Sequence, residues 1–469
     1  MKIQPSEAVL PTVTAAIGVA FVVFWFWTSS PSELDARSTG RDNTEDKSGD
    51  VPRPEAGEPV VGDGIASDVT GEWPGFRGLN HDSTAIGGPP LARSWPPEGP
   101  PVLWSIEVGE GYSGPVISHG RVYLLDYDKE AETDTLRCLS LDDGREIWRN
   151  SYPIVVAFHH GMTRTVPAIV GDYVITMGPR CHLVCWDAAT GKSHWLLDLE
   201  RDFGTRVPEW YTGQCPLVDQ DRLIVAPCGE DALLMAVDYK TGEVIWKSPN
   251  PKGWNMTHTS VVPMEFQGRR SYVYCSSNGV VGVAADDGSL LWESTAWKEI
   301  NATGPSPVIL PDRKIFLSRG YGLVGALMLQ LVENESGIEA KSLFELEPEQ
   351  FSSEQHTPIY RDGHLFGIRK MGARTMVCLT TEGKEVWNSG SDRFRRGLGP
   401  YMFADDLLLM LDDDGTLTLA EATVAGYKRL AQHEVLPGGH DSWGPMAMVA
   451  GRLIVRDLTR MTCLNLSQK

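Results

Sequence analysis

Five copies of Gly-x-x-x-Trp constrain this chain more than any other feature: Gly144/Trp148, Gly191/Trp195, Gly242/Trp246, Gly288/Trp292 and Gly383/Trp387. The first four lie 46 to 51 residues apart, and the gap of 95 before the fifth leaves room for one degenerate copy. A fixed period of this length marks an array of like units, none of which can bury its apolar face alone.

The fullest copy runs from Ala236 to Trp246. An apolar strand leads into Asp238, a turn closes on Thr241-Gly242, and a second strand carries the tryptophan. Glycine suits a turn position of positive φ, and the preceding Asp or Thr bonds the local backbone. A second hairpin stands upstream of each copy, as in Pro115 to Tyr123 and Pro216 to Val225. Each unit is therefore four short antiparallel strands. Units of this kind cover both faces by stacking around an axis, so the fold class expected is an all-β, eight-bladed β-propeller.

First strands are expected near Pro115, Pro167, Pro216, Ser260, Pro307, Pro358, Pro400 and Pro445. The matching last strands carry Trp148, Trp195, Trp246, Trp292, Phe344, Trp387 and Tyr427, one fewer than the first strands. The missing strand is available at Pro101 to Ile106, around Trp104. An N-terminal strand that completes the last blade closes the ring and leaves no open edge. Cys138, Cys185, Cys378 and Cys463 all fall in third strands of different blades, too far apart to pair, and read as small core residues. Cys181-x-x-x-Cys185 with His182 is a weak metal pattern, because His182 points away from both thiols in a strand.

With 42 basic against 62 acidic residues the net charge is −20, and no basic run exists. That disfavours a nucleic-acid partner, which needs clustered Lys and Arg. Residues 8–27 form a twenty-residue stretch without a charge that ends in Trp25 and Trp27. The length matches a bilayer core, and the aromatic end suits its interface. A cleaved signal fits less well, since Pro31 follows Thr28-Ser29-Ser30 and no Ala-x-Ala-like site is present. The expected domains are a stub and transmembrane anchor at 1–28, a disordered acidic linker at 29–71 and the propeller at 72–469, held on the periplasmic or extracytoplasmic side.

The pattern Ala236 to Trp246 resembles the tryptophan-docking repeat of the pyrroloquinoline quinone (PQQ) propeller superfamily. Trp73-Pro74-Gly75-Phe76-Arg77-Gly78-Leu79-Asn80 is similar to the Trp-Pro-x-x-Arg-Gly lead-in of many bacterial propellers of this kind. The resemblance implies either of two functions. In the quinoprotein dehydrogenases a vicinal Cys-Cys disulfide covers the quinone, and Glu and Asn hold Ca²⁺. This chain has no Cys-Cys dipeptide, and no residue takes the place of the catalytic Asp. Neither PQQ nor a metal is therefore expected. The non-enzymatic outer-membrane-assembly propellers of the BamB type match better, and they imply a membrane-tethered scaffold that binds a protein partner. A PQQ-dependent oxidoreductase and a sugar- or peptide-sensing ectodomain are the alternatives.

Two sets of residues are candidates for contact. The residues two before each first-strand start face the axial channel; among them Ser113, Thr165, Gln214, His258, His356 and Trp443 offer polar atoms. His258 and His356 stand two blades apart and could face one ligand. The loops after blades one to three carry His159, His160, Arg164, Trp210, Tyr211 and Trp254, and aromatic residues of this kind anchor protein partners. Arg164 suits an acidic group on such a partner. Asp412-Asp413-Asp414-Gly415 lacks the spaced carboxylate of a Ca²⁺ loop and reads as a solvated turn.

Overall fold

The computed structural model describes residues 53–156, 163–322, 324–335 and 337–468. The anchor expected at 8–27, the first part of the linker, His159 and His160 lie outside the described residues. Among the described residues no helix is long and apolar enough to cross a membrane.

Among the described residues, the alternation of apolar runs with glycine turns builds eight sheets in chain order, each with four antiparallel strands at its core. Their first strands are Val116–Ser118, Ala168–Val170, Leu217–Asp219, Val262–Phe266, Val308–Leu310, Ile359–Arg361, Tyr401–Ala404 and Ala447–Val449. The eighth sheet is completed by Val102–Glu107, which pairs antiparallel with Arg460–Asn465 and places Trp104 opposite Cys463. The N-terminal strand thus closes the ring, as its sequence predicts.

The repeat glycine and tryptophan meet across blades rather than within one. Gly191 has φ +74°, and a Cβ there would sit 2.4 Å from the Trp148 ring of the preceding blade. Each docked indole also donates its Nε1–H to a carbonyl of the next blade: Trp104 to Leu141 (3.0 Å), Trp148 to Ala188 (3.3 Å), Trp195 to Tyr239 (3.0 Å), Trp246 to Ala285 (3.0 Å) and Trp387 to Thr423 (2.7 Å). Cys138, Cys185 and Cys378 lie directly opposite Trp148, Trp195 and Trp387 in the pairing register, where a small side chain leaves room for the ring. Blade five departs from this scheme. Its last hairpin is lengthened to Ala326–Asn334 and Gly337–Leu346, Trp292 of blade four folds back over Gly282 of blade four instead of docking on blade five, and Phe344 packs on Gly383.

The chain ahead of Trp104 departs from expectation. Residues 53–71, read as part of a disordered linker, lie along blade one as a strap. Val60–Val61 pairs antiparallel with Arg149 and Trp148, making that sheet five-stranded. Gly57, Gly62 and Gly64 donate their amides to Ser151, Ile147 and Glu146 carbonyls. A Cβ on Gly62 or Gly64 would stand 2.0 or 2.4 Å from a blade-one carbonyl oxygen, so only glycine permits this approach. Arg53 pairs with Asp202.

Residues 73–85 then enter the central channel. Trp73 exchanges backbone hydrogen bonds with Ile117, Pro74 accepts from Ile169, and Thr84–Ala85 pairs parallel with Phe403 and Ala404. The Trp73 ring packs on Gly78, whose Cβ would lie 2.8 Å from it. The Trp-Pro-x-x-Arg-Gly segment is therefore an axial plug, touching the first strands of most blades.

Candidate interface on the interblade-loop face

Antiparallel strands sort the loops onto two faces. Loops that join one blade to the next share a face with loops between second and third strands. The rim residues expected from the sequence belong to that face.

At its centre Arg164, ahead of the first strand of blade two, is held from two sides. Its Nε donates to the Trp210 carbonyl at 2.6 Å, and its guanidinium lies 5.1 Å from the centroid of the Tyr112 ring. Tyr112 stacks on Trp443 at 5.0 Å with 29° between planes. Tyr321, in the second-to-third-strand loop of blade five, lies within electrostatic reach of Arg164 and accepts a 2.5 Å hydrogen bond from Gln355. Burial lowers the Arg164 pKa. The loops of several blades thus converge on one arginine–aromatic cluster. Tyr112 and Tyr321 are members that the sequence reading missed; Tyr112 directly precedes the flagged Ser113, whereas nothing around Tyr321 singles it out.

Trp210 and Tyr211 are adjacent non-glycine residues at φ +63° and +67°. A left-handed turn of two bulky residues is strained and persists only where its surroundings fix it. Arg164 grips the Trp210 carbonyl, and the Tyr211 amide donates to Pro208. Trp210 is left half-buried, whereas Tyr211 is turned inward and 5% exposed.

Trp254 lies elsewhere. It is 5% exposed, packs over Gly279 and belongs to a core cluster with Met256 and Cys181. The expectation of a surface anchor is corrected for Trp254: Asn250 fixes its backbone, accepting from the Trp254 amide and donating to its carbonyl, and this draws the ring inward.

The ring of axial residues is mostly structural. Ser113 donates to Thr165 O at 2.6 Å, Thr165 donates to Met177 O, and Gln214 makes a two-way bond with the Ala226 backbone. His258 and His356 are both pushed down to about 4 by burial, His258 further by Arg164 and His356 by Arg77. Their neighbours differ, and the structure does not bring them to one ligand. Asp413 is 3% exposed rather than in a solvated turn, and burial followed by the Asp412 charge raises it to about 6. His182 is buried beside Asp198 at 3.6 Å, and no metal-ligand group occurs among the described residues.

The superfamily implies a quinone on the axis. Here Arg77 and Phe76 occupy that place, and the cavities flanking them measure about 30 and 20 Å³. A tricyclic cofactor needs a pocket of roughly 300 Å³ or more, so the axial residues do not fit PQQ.

A family model described as outer membrane protein assembly factor BamB matches residues 132–389. Among solved structures, BamB from Moraxella catarrhalis is 12% identical, with 78% of this chain and 99% of that one covered at a TM-score of 0.50. A europium-containing methanol dehydrogenase is 11% identical over 82% and 89% at a TM-score of 0.48. A quinohemoprotein alcohol dehydrogenase from Comamonas testosteroni is 13% identical over 85% and 81%, at 0.43. These likenesses concern the fold alone. No curated protein matches the chain.

Proposed function

The chain belongs to the family of outer membrane protein assembly factor BamB, whose model covers more than half of its length, and on that premise we propose that it is a non-enzymatic scaffold for a protein partner at a membrane. The partner docks on the interblade-loop face, with Trp210 as the anchor. The observation that carries this reading is the strained Trp210-Tyr211 turn. Arg164 holds the Trp210 carbonyl, and the strained turn leaves a large ring half-exposed at a cost that core packing does not require. Interfaces concentrate binding energy in such rigid aromatic anchors. The uncharged stretch at 8–27 supports a membrane tether for the propeller.

Trp210→Ala tests the anchor. Truncating an anchor costs about 2 kcal/mol, close to a thirtyfold loss of affinity, while a half-exposed ring contributes little to the fold. Capture of the crosslinked membrane partner is expected to fall by that order with the melting temperature unmoved. Unchanged capture per folded molecule rejects Trp210 as the anchor.

A further inference from the structure

We propose that Arg77 holds a small inorganic anion of halide size in the axial cavity beside it. The inference rests on the plug and is independent of the partner-binding face. Arg77 is 9% exposed, and its two hydrogen bonds go to neutral oxygens: Nε to Ser83 Oγ and Nη2 to Pro358 O, each at 3.0 Å. Among the described residues no carboxylate forms an ion pair with it. Asp82 is within electrostatic reach, but its Oδ1 accepts from the Thr84 amide instead. Burial lowers the guanidinium only to about 10, so it stays charged at neutral pH. A charge buried without a counter-ion costs several kcal/mol.

The space beside this charge is shaped for an ion. A cavity of about 30 Å³ is lined by Arg77, Ser83, His356 and Tyr401, with Trp73 and Met402 as apolar walls. It exceeds the roughly 10–15 Å³ needed by one water and admits a monatomic anion. None of its lining residues is acidic. The His356 Nε2 atom is buried and has no hydrogen-bond partner, and in one of its two neutral tautomers it supplies a second N–H donor. The net charge of −20 means that the protein as a whole repels anions, so retention there is a property of this local donor set. A bound anion compensates Arg77 and satisfies His356 together, locking the plug to the wall formed by blades six to eight.

Two measurements on the unmodified protein decide the matter. Crystals grown in bromide are expected to show an anomalous peak beside the Arg77 guanidinium. Replacing gluconate by chloride at equal ionic strength is expected to raise the melting temperature by about 2 °C, as a ligand of the native state does. Arg77→Gln is expected to abolish both effects. Absence of a bromide peak at Arg77, with water in the cavity, overturns the proposal. So does a peak without chloride-specific stabilisation, which means an adventitious ion only. Both arms use the native chain, so the outcome stands even if Arg77→Gln fails to fold.

Discussion

Gly191 shows how much of this fold turns on single residues. Its positive φ closes the hairpin of blade two, and its missing side chain seats Trp148 of blade one. Gly191→Ala meets both obstacles, a left-handed backbone costing roughly 1–2 kcal/mol and a ring that must move. Chemical denaturation is expected to show at least that loss, and Gly171→Ala, which also has positive φ but nothing within 4 Å, a smaller one. Alongside Glu299, which burial also raises to about 7, Asp134 contributes one part of the pH dependence. It is fully buried and accepts from Tyr152 at 2.7 Å and Thr163 at 3.2 Å, yet burial outweighs these bonds and raises it to about 7. The folded state then binds a proton that the unfolded state releases near 3.8, so stability contributed by this group falls as pH rises from about 4 to about 7. Asp134→Asn removes that slope, and its stability relative to the native chain is expected to improve across this window; a constant difference from acid to neutral pH contradicts the assignment. At this scale the docking tryptophans and the cysteines opposite them were legible, because the repeat places them in register. Trp254 was not: Gly253-Trp254-Asn255 reads like an exposed loop, and only Asn250 reveals that the ring turns inward.

At the scale of elements, strand positions and ring closure followed from counting hairpins. The strap and the plug did not. Residues 53–71 are rich in glycine, proline and acids, a composition shared by disordered tethers. What orders them is backbone pairing with blade one, which leaves little trace in side-chain periodicity. Val61 and Ile65 are 79% and 75% exposed, so between Ala56 and Val69, which pack on the blade cores, the strap is held by its main chain and glycine contacts. Gly62→Val therefore selectively detaches it. Hydrogen exchange at 57–67 is expected to rise sharply while the blades keep their protection. Uniform loss of protection across blade one indicates that the strap is integral to that sheet. The plug was visible only as a motif. Its role emerges from Trp73 packing on Gly78 and from Arg77 reaching across to Pro358, contacts distant in sequence.

For the whole molecule, closure by Val102–Glu107 and the plugged axis leave the interblade-loop face as the place where flagged aromatic and cationic residues gather. As proposed above, this face rather than the axis takes the protein partner. Site-specific photo-crosslinking in native membranes tests it directly. One reactive group replaces Trp210 and a second replaces Asp221, an exposed residue in a first-to-second-strand turn on the opposite face. A discrete protein adduct is expected from position 210 and none from 221. An adduct from 221 alone, or from neither position while the chain is folded, contradicts this placement.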